Sequence, residues 1–145
     1  MYIEVASAVT EELHRSLQRL IPQLTTNNTA PGWEELASLI DSKSSTLLLA
    51  RHPGENGEIV GILTLTIYRV PTGIRSIIED VIVDENLRRQ GIGAALLSQA
   101  IELARREGAN SITLTSNPRR EAANLLYQSM GFKRRETNAY YLNLK

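Results

Sequence analysis

The residue pattern changes at about residue 46, and this change constrains the fold more than any other feature. Three stretches rich in β-branched and aliphatic side chains follow one another, TLLLARH, EIVGILTLTIYRV and IRSIIEDVIVD. The sequences between them, PGENG and PTG, are typical of turns. Strands with such short connections pair with their neighbours in the chain, so we expect an antiparallel meander.

The residues before the meander predict one strand and two helices. YIEVA at 2–6 alternates as a strand does, and apolar residues recur at helical spacing over about 9–23. Pro22 predicts that this helix ends or bends there, because proline lacks the N–H that the helix needs. A shorter helix is expected near 33–40.

The residues after the meander predict a helical crossover and two further strands. A long amphipathic helix starts at about residue 93 and should stop at Gly108, and SITLTS at 111–116 should then run parallel to its neighbour. A second helix is expected over 119–130, followed by FKRRE and AYYLNL as the last strands. The sequence therefore predicts an α/β protein with a mixed, mostly antiparallel sheet and about four helices, in one domain over 1–145.

Composition excludes several classes of function. Acidic and basic residues balance at 16 each, so no overall field attracts nucleic acid or an anionic membrane. Cysteine is absent, which excludes disulfides, thiolate metal sites and a thiol nucleophile. Neither His14 nor His52 has acidic neighbours in an arrangement that would suggest a metal site, so we expect none. Without a signal-like start or a membrane-length apolar run, we expect a cytoplasmic protein.

A glycine-containing stretch, DENLRRQGIGAAL, begins the long helix at residues 84–96. One interpretation is a simple helix start, since glycine lets the backbone turn. The other is an anion site made by free helix N–H groups with Arg88 and Arg89 beside them. A dinucleotide fingerprint is excluded because Leu96 stands where a third glycine is required, and the lysine of a P-loop is also missing.

Two segments resemble motifs of the GNAT N-acetyltransferase superfamily. Arg88 to Gly93, within VIVDENLRRQGIGAALL, is similar to the acyl-CoA motif [Q/R]-x-x-G-x-[G/A] that follows a strand. AANLLYQSMGF at 122–132 resembles the later A-x-x-x-Y-x-x-x-G-F segment through Ala123, Tyr127, Gly131 and Phe132. The motifs that carry the resemblance lie within about 57–134, while residues 1–56 agree with the family only in the order of their predicted helices and strands.

This resemblance implies a fold, a cosubstrate and its contacts. The GNAT fold would have a sheet of about six to seven strands, splayed between the fourth and fifth strands. Acetyl-CoA would be the cosubstrate, with its pantetheine arm paired to the backbone of Val81, Ile82 and Val83 as an extra strand. Its pyrophosphate would lie on the residues that begin the helix, namely Arg88, Arg89, Gln90, Gly91, Ile92, Gly93 and Ala94.

Two residues are the candidate catalysts. The resemblance implies that Tyr127 is the general acid that protonates the leaving thiolate; packing in the core is the alternative. Glu79 is the candidate base, because strand alternation predicts that it shares a face with Val81. The alternative for Glu79 is a solvated carboxylate or an ion pair with Arg75. A strand N–H near Val81 could stabilise the oxyanion.

Two asparagines are candidates for holding the CoA arm. Asn117 and Asn124 flank the last predicted helix. Capping of that helix explains Asn117 equally well.

The resemblance implies an N-acetyltransferase that acts on a primary amine of a small molecule or a protein by direct attack. The alternatives are a catalytically inactive acyl-CoA-binding sensor or structural module, and an interaction domain without cofactor. The resemblance also makes a homodimer possible, since small GNAT proteins often pair. Packing or solvation explains the residues that could line an acceptor pocket, which are Trp33, Tyr68, Arg69, Arg75, Thr137, Asn138, Tyr140 and Tyr141.

Overall fold

The computed structural model describes residues 1–145, and the chain divides into two compact units, Met1–Thr115 and Ser116–Lys145. In chain order the first unit contains β1 (Tyr2–Val5), α1 (Glu11–Leu24), α2 (Trp33–Asp41), β2 (Ser45–His52), β3 (Glu58–Val70), β4 (Gly73–Val83), α3 (Ile92–Arg106) and β5 (Ile112–Thr113). The second unit contains α4 (Glu121–Ser129). The single domain over 1–145 stays a prediction.

The first unit is built on a five-stranded sheet in the order β1-β2-β3-β4-β5. The first four strands are antiparallel neighbours, and β5 runs parallel to β4. This confirms the meander, the parallel strand after the helical crossover and the mixed α/β class. The four predicted helices are also present.

Helix α1 begins and ends for local reasons. The Thr10 Oγ1 accepts a hydrogen bond from the Leu13 N–H at 3.0 Å, and two acidic residues in the first turn complement the helix dipole. Pro22 does not end the helix, which continues to Leu24. In the last turn, proline removes one helix hydrogen bond without stopping the chain from completing that turn.

Both faces of the sheet are covered by helices. Helices α1 and α2 pack on one face, where Ile62 of β3 and Ile82 of β4 join the buried cluster. Helix α3 covers the other face, with its buried stripe over Gly61 of β3. The buried core residues on the α1 and α2 side are Leu13, Leu17, Leu20, Leu36, Leu47, Leu49, Ile59, Ile62 and Ile82.

Gly61 permits the close approach of α3 to the sheet. A Cβ atom there would lie 3.1 Å from the Ile82 carbonyl oxygen and 3.2 Å and 3.3 Å from side-chain carbons of Leu96 and Ile92. These two residues are fully buried at the start of α3. The glycine therefore sets how closely the beginning of α3 can pack on β3.

Replacing Gly61 by valine should destabilise the protein by about 2 kcal/mol, because overpacking a filled core forces the backbone or side chains apart. Urea unfolding measures the free energy. The control is Gly54→Val, where an added Cβ meets nothing within 4 Å. That variant should stay within about 0.5 kcal/mol of the wild type. Equal losses in the two variants would contradict close packing at Gly61.

The prediction of two strands after Gly131, FKRRE and AYYLNL, is wrong. No strand follows Gly131, so the sheet has five strands rather than six to seven, and the strand expected over 111–116 is limited to Ile112–Thr113. Strand-forming composition is expressed only against a pairing partner. The side chains from 140 on find none, since Tyr140, Tyr141, Leu142 and Leu144 are 79% to 91% exposed.

Candidate active site

The segment between β4 and α3 begins with a capped turn. The Asp84 Oδ1 accepts a hydrogen bond from the Asn86 N–H at 3.1 Å, and its carbonyl accepts from the Leu87 N–H at 2.9 Å. These bonds form a single 3₁₀ turn over Glu85–Leu87. Sequence reasoning did not single out Asp84, although aspartate is favoured in turns because its side chain can accept a hydrogen bond from the backbone N–H two residues on.

The backbone then takes two left-handed conformations before α3. Arg89 has φ of 67° and Gly91 has φ of 79°. Left-handed conformations are costly for residues with a Cβ, and a non-glycine residue held there is a pointer to function. The chain thereby turns so that Gly91 is the N-cap of α3.

The first turn of α3 offers free donors. The first helical hydrogen bond runs from the Ala95 N–H to the Gly91 carbonyl at 3.0 Å. The N–H groups of Ile92, Gly93 and Ala94 therefore have no partner within the helix. No acidic side chain lies in this turn, so the helix dipole favours an external anion.

The side chains that precede this turn are exposed, and two of the three are cationic. Arg88, Arg89 and Gln90 are exposed, and neither arginine forms an ion pair. A Cβ added at Gly91 would meet nothing within 4 Å, so the backbone can be approached closely from that side. Residues 88 to 94 therefore combine free N–H groups with two cationic side chains, an arrangement suited to an anion such as a phosphate, and their contact with the pyrophosphate of CoA stays a prediction.

The edge of β4 beyond the short strand β5 is open. Pairing between the two strands stops after Ser76 with Ile112 and Ile77 with Thr113. Residues 78–83 therefore have no strand partner on that side, which confirms the predicted separation of the fourth and fifth strands. Val81, Ile82 and Val83 lie on this open stretch, where an extended ligand can use the free backbone groups.

A β-bulge alters the predicted orientation of Glu79. Thr64 of β3 pairs with Glu79 and Ile62 pairs with Ile82, so one β3 residue stands opposite two β4 residues, Asp80 and Val81. Glu79 consequently shares a face with Ile82, on the side of α1 and α2, and the prediction that it shares a face with Val81 is wrong. Simple alternation cannot anticipate an inserted residue.

Burial and a neighbouring charge set the electrostatics of Glu79. Partial desolvation raises the pKa of its carboxyl, and the negative charge of Asp80 raises it further. Asp80 itself is held at φ of 52°. Arg75, considered as an ion-pair partner, instead donates to the Thr72 Oγ1 at 2.8 Å. Glu79 is therefore an exposed carboxylate without a cationic partner.

Tyr127 is the buried aromatic of α4 in the second unit. It is 6% exposed, and its ring meets the Phe132 ring edge-on at 6.1 Å. The left-handed Gly131, φ 97°, reverses the chain so that the Phe132 N–H donates to the Tyr127 carbonyl at 3.0 Å. Burial raises the pKa of the phenol, and the charge of Arg120 opposes that rise in part. The tyrosine therefore keeps its proton at neutral pH.

Both candidate asparagines form hydrogen bonds to the turn before α4, Asn117 from within that turn and Asn124 from the helix itself. The Asn117 Oδ1 accepts from the Arg119 N–H at 2.9 Å in a turn that precedes the helix. The predicted capping by Asn117 is wrong, because the N-cap of α4 is Arg120 and no side chain caps this helix. The Asn124 Nδ2 donates to the carbonyls of Asn117 and Arg120 at 3.0 Å and 2.9 Å. Each amide keeps one polar group without a partner, so ligand contact stays a prediction for both.

No group of three or more His, Asp or Glu side chains is placed to hold a metal ion. None of the helices is long and apolar enough to cross a membrane.

Comparison with known proteins identifies the family. Residues 9–132 match the model of the acetyltransferase (GNAT) family. The chain is 32% identical over 109 residues to a glucosamine 6-phosphate N-acetyltransferase of Trypanosoma brucei brucei, covering 70% of this chain and 71% of the relative.

Two solved structures resemble the chain over almost its whole length. The crystal structure of a Trypanosoma brucei acetyltransferase is 30% identical with a TM-score of 0.74, covering 98% of this chain and 99% of that one. An aminoglycoside acetyltransferase from an uncultured soil metagenomic sample, solved with sisomicin, has a TM-score of 0.82 and covers 99% of this chain and 95% of its own. Its 23% identity shows a shared fold alone. The predicted family is confirmed, and the chain belongs to the GNAT family of acetyltransferases.

Proposed function

We propose that this protein is a cytoplasmic, acetyl-CoA-dependent N-acetyltransferase that acts on a primary amine by direct attack. The observation that carries the proposal is the start of α3. Three free N–H groups, no acidic side chain in the first turn and two unpaired arginines lie directly after an open strand edge.

The residues of the loop would bind the negative end of the cosubstrate. The N–H groups of Ile92, Gly93 and Ala94 would donate to pyrophosphate oxygens, with Arg88 and Arg89 pairing to the same charges. The backbone of Val81 to Val83 would hold the pantetheine arm along β4. When bound, acetyl-CoA supplies an activated thioester as the acetyl donor.

Glu79 would remove the proton that makes the amine unreactive. A primary amine has a pKa near 10, so at neutral pH most of it is protonated. A carboxylate whose pKa is raised is the better proton acceptor, and Glu79 has no cation to neutralise it. A strand N–H near Val81 is the proposed oxyanion donor.

Tyr127 would supply a proton to the sulfur as the thiolate departs. The raised pKa of its phenol keeps that proton in place until the basic thiolate appears. Asn117 and Asn124 are proposed contacts to the CoA arm through the polar groups that they do not use locally.

The acceptor is proposed to be an amine of a small molecule or a protein. Among small molecules, amino sugars are the first to test, because the trypanosomal relative is named for glucosamine 6-phosphate and one structural neighbour binds sisomicin.

A panel of amines, assayed for free CoA with a thiol reagent, tests the proposal. The panel contains glucosamine 6-phosphate, glucosamine, an aminoglycoside, spermidine, amino acids and a lysine peptide. Release of CoA that depends on one class of amine is expected. Tight CoA binding without release on any amine would favour the inactive acyl-CoA-binding alternative.

A further inference from the structure

Side chains of helix α1 form hydrogen bonds to Asp84 and Glu85, the segment that leads into the loop at the start of α3. One Arg19 Nη donates to the Asp84 carboxylate, and the other donates to the Ile59 carbonyl of β3 at 2.6 Å. One turn further along α1, the Gln23 Oε1 accepts from the Glu85 N–H at 2.9 Å. Two side chains of α1 therefore hold two consecutive residues of this segment.

The partner of Arg19 is a carboxylate largely removed from water. The Asp84 side chain is 9% exposed and that of Arg19 is 41% exposed. A buried carboxylate needs compensation, and here it has a guanidinium on Oδ2 and the Asn86 N–H on Oδ1. Loss of the guanidinium would leave the carboxylate charged, buried and half satisfied, so the turn would move toward solvent.

Asp84 is also the point at which the loop leaves the sheet. Its N–H donates to the Val60 carbonyl at 2.7 Å, and its carbonyl accepts from Leu87 in the 3₁₀ turn. Arg88, Arg89 and Gly91 follow within seven residues. The position of Asp84 therefore sets the position of the anion-binding residues.

We infer that Arg19 is a positioning residue for acyl-CoA binding, which holds the anion loop in its binding conformation through Asp84 without touching the ligand. This inference rests on the proposed function. It adds that an α1 side chain, 65 residues before Asp84 in the sequence, controls affinity for the cosubstrate. Binding is weaker when the competent conformation is only partly populated.

The first experiment measures CoA affinity by calorimetric titration. Arg19→Met keeps length and apolar packing but removes the guanidinium, and it should raise the Kd of CoA about tenfold. Arg19→Lys should recover part of the affinity, because an ammonium can keep the ion pair but not both bonds in the same fork. The matched control is Arg15→Met, an exposed arginine on the same helix without an ion pair, which should not change Kd.

The second experiment needs no ligand. Trypsin cleavage after Arg88 and Arg89 in the free protein, followed by mass spectrometry, should be faster in Arg19→Met than in Arg15→Met. Cleavage after Arg105 and Arg106 in α3 is the internal reference and should be equal in the two variants.

The outcomes separate the two claims. If the wild type fails to bind CoA, the proposed function falls, and trypsin alone then decides whether Arg19 holds the loop. If the wild type binds CoA and Arg19→Met keeps both the affinity and the cleavage rate of Arg15→Met, the inference is overturned. A rise in cleavage at every site would indicate general destabilisation and would overturn it as well.

Discussion

Tyr127→Phe should lower kcat for acetyl transfer by about 100-fold or more, the scale of general acid catalysis. The variant retains the ring that packs against Phe132 and removes only the hydroxyl that carries the proton. The Kd of CoA should stay unchanged, because the loop at the start of α3 is intact. Steady-state kinetics with saturating amine, together with calorimetric titration of CoA, measures the two effects separately.

Tyr68→Phe is the matched control for this change. Tyr68 is 38% exposed on β3 and is not assigned to the reaction, so the same atomic deletion should leave kcat unchanged. Equal rates in Tyr127→Phe and the wild type would remove Tyr127 as the acid. A large loss of thermal stability in Tyr127→Phe alone would assign its hydroxyl to the fold instead.

Glu79→Gln should lower kcat/KM by about 100-fold at pH 7, because the amide cannot accept the amine proton. The deficit should shrink as the pH approaches about 10, where the amine is already neutral and needs no base. A pH–rate profile of the two proteins measures this convergence. A deficit that is constant with pH would indicate that Glu79 has another role.

The same substitution has a predictable effect on stability. The folded pKa of Glu79 is raised, so the folded state favours the protonated form, and the wild type loses stability as pH rises from the unfolded pKa through the folded one. At neutral pH Glu79→Gln should therefore unfold at an equal or higher temperature than the wild type, as thermal unfolding measures.

Asp80→Asn tests the raised pKa of Glu79 through the rate profile. This substitution removes the neighbouring negative charge and so lowers the pKa of Glu79. The acid limb of the pH–rate profile should therefore move to lower pH.

Local sequence signals predicted much of the fold. Apolar spacing and Gly108 located α3, and turn sequences around 53–57 and 71–73 separated β2, β3 and β4. The glycine motif likewise predicted a loop whose structure leaves three N–H groups free. These features depend on residues close together in the chain, so the sequence contains the information that specifies them.

Features that depend on distant residues were not predictable. The bulge at Asp80 and Val81 depends on how β4 pairs with β3 around Leu63. Because of this bulge, Glu79 shares a face of the sheet with Ile82 and not, as expected, with Val81. The strands expected after Gly131 had suitable composition but no partner. The contact of Arg19 with Asp84 joins α1 to the end of β4, and no local pattern around either residue indicates its partner, which is 65 residues away in the chain.

Calorimetric titration of the wild-type protein with acetyl-CoA tests the central claim most directly. We predict saturable binding at one site, which a bulky residue at Gly91, such as valine, abolishes by filling the open approach to the loop. Gly91 has a left-handed backbone conformation that disfavours a side chain, so valine could also disturb folding. Circular dichroism would verify that the Gly91→Val protein is folded. Heats indistinguishable from dilution for the wild type at millimolar acetyl-CoA would contradict the account.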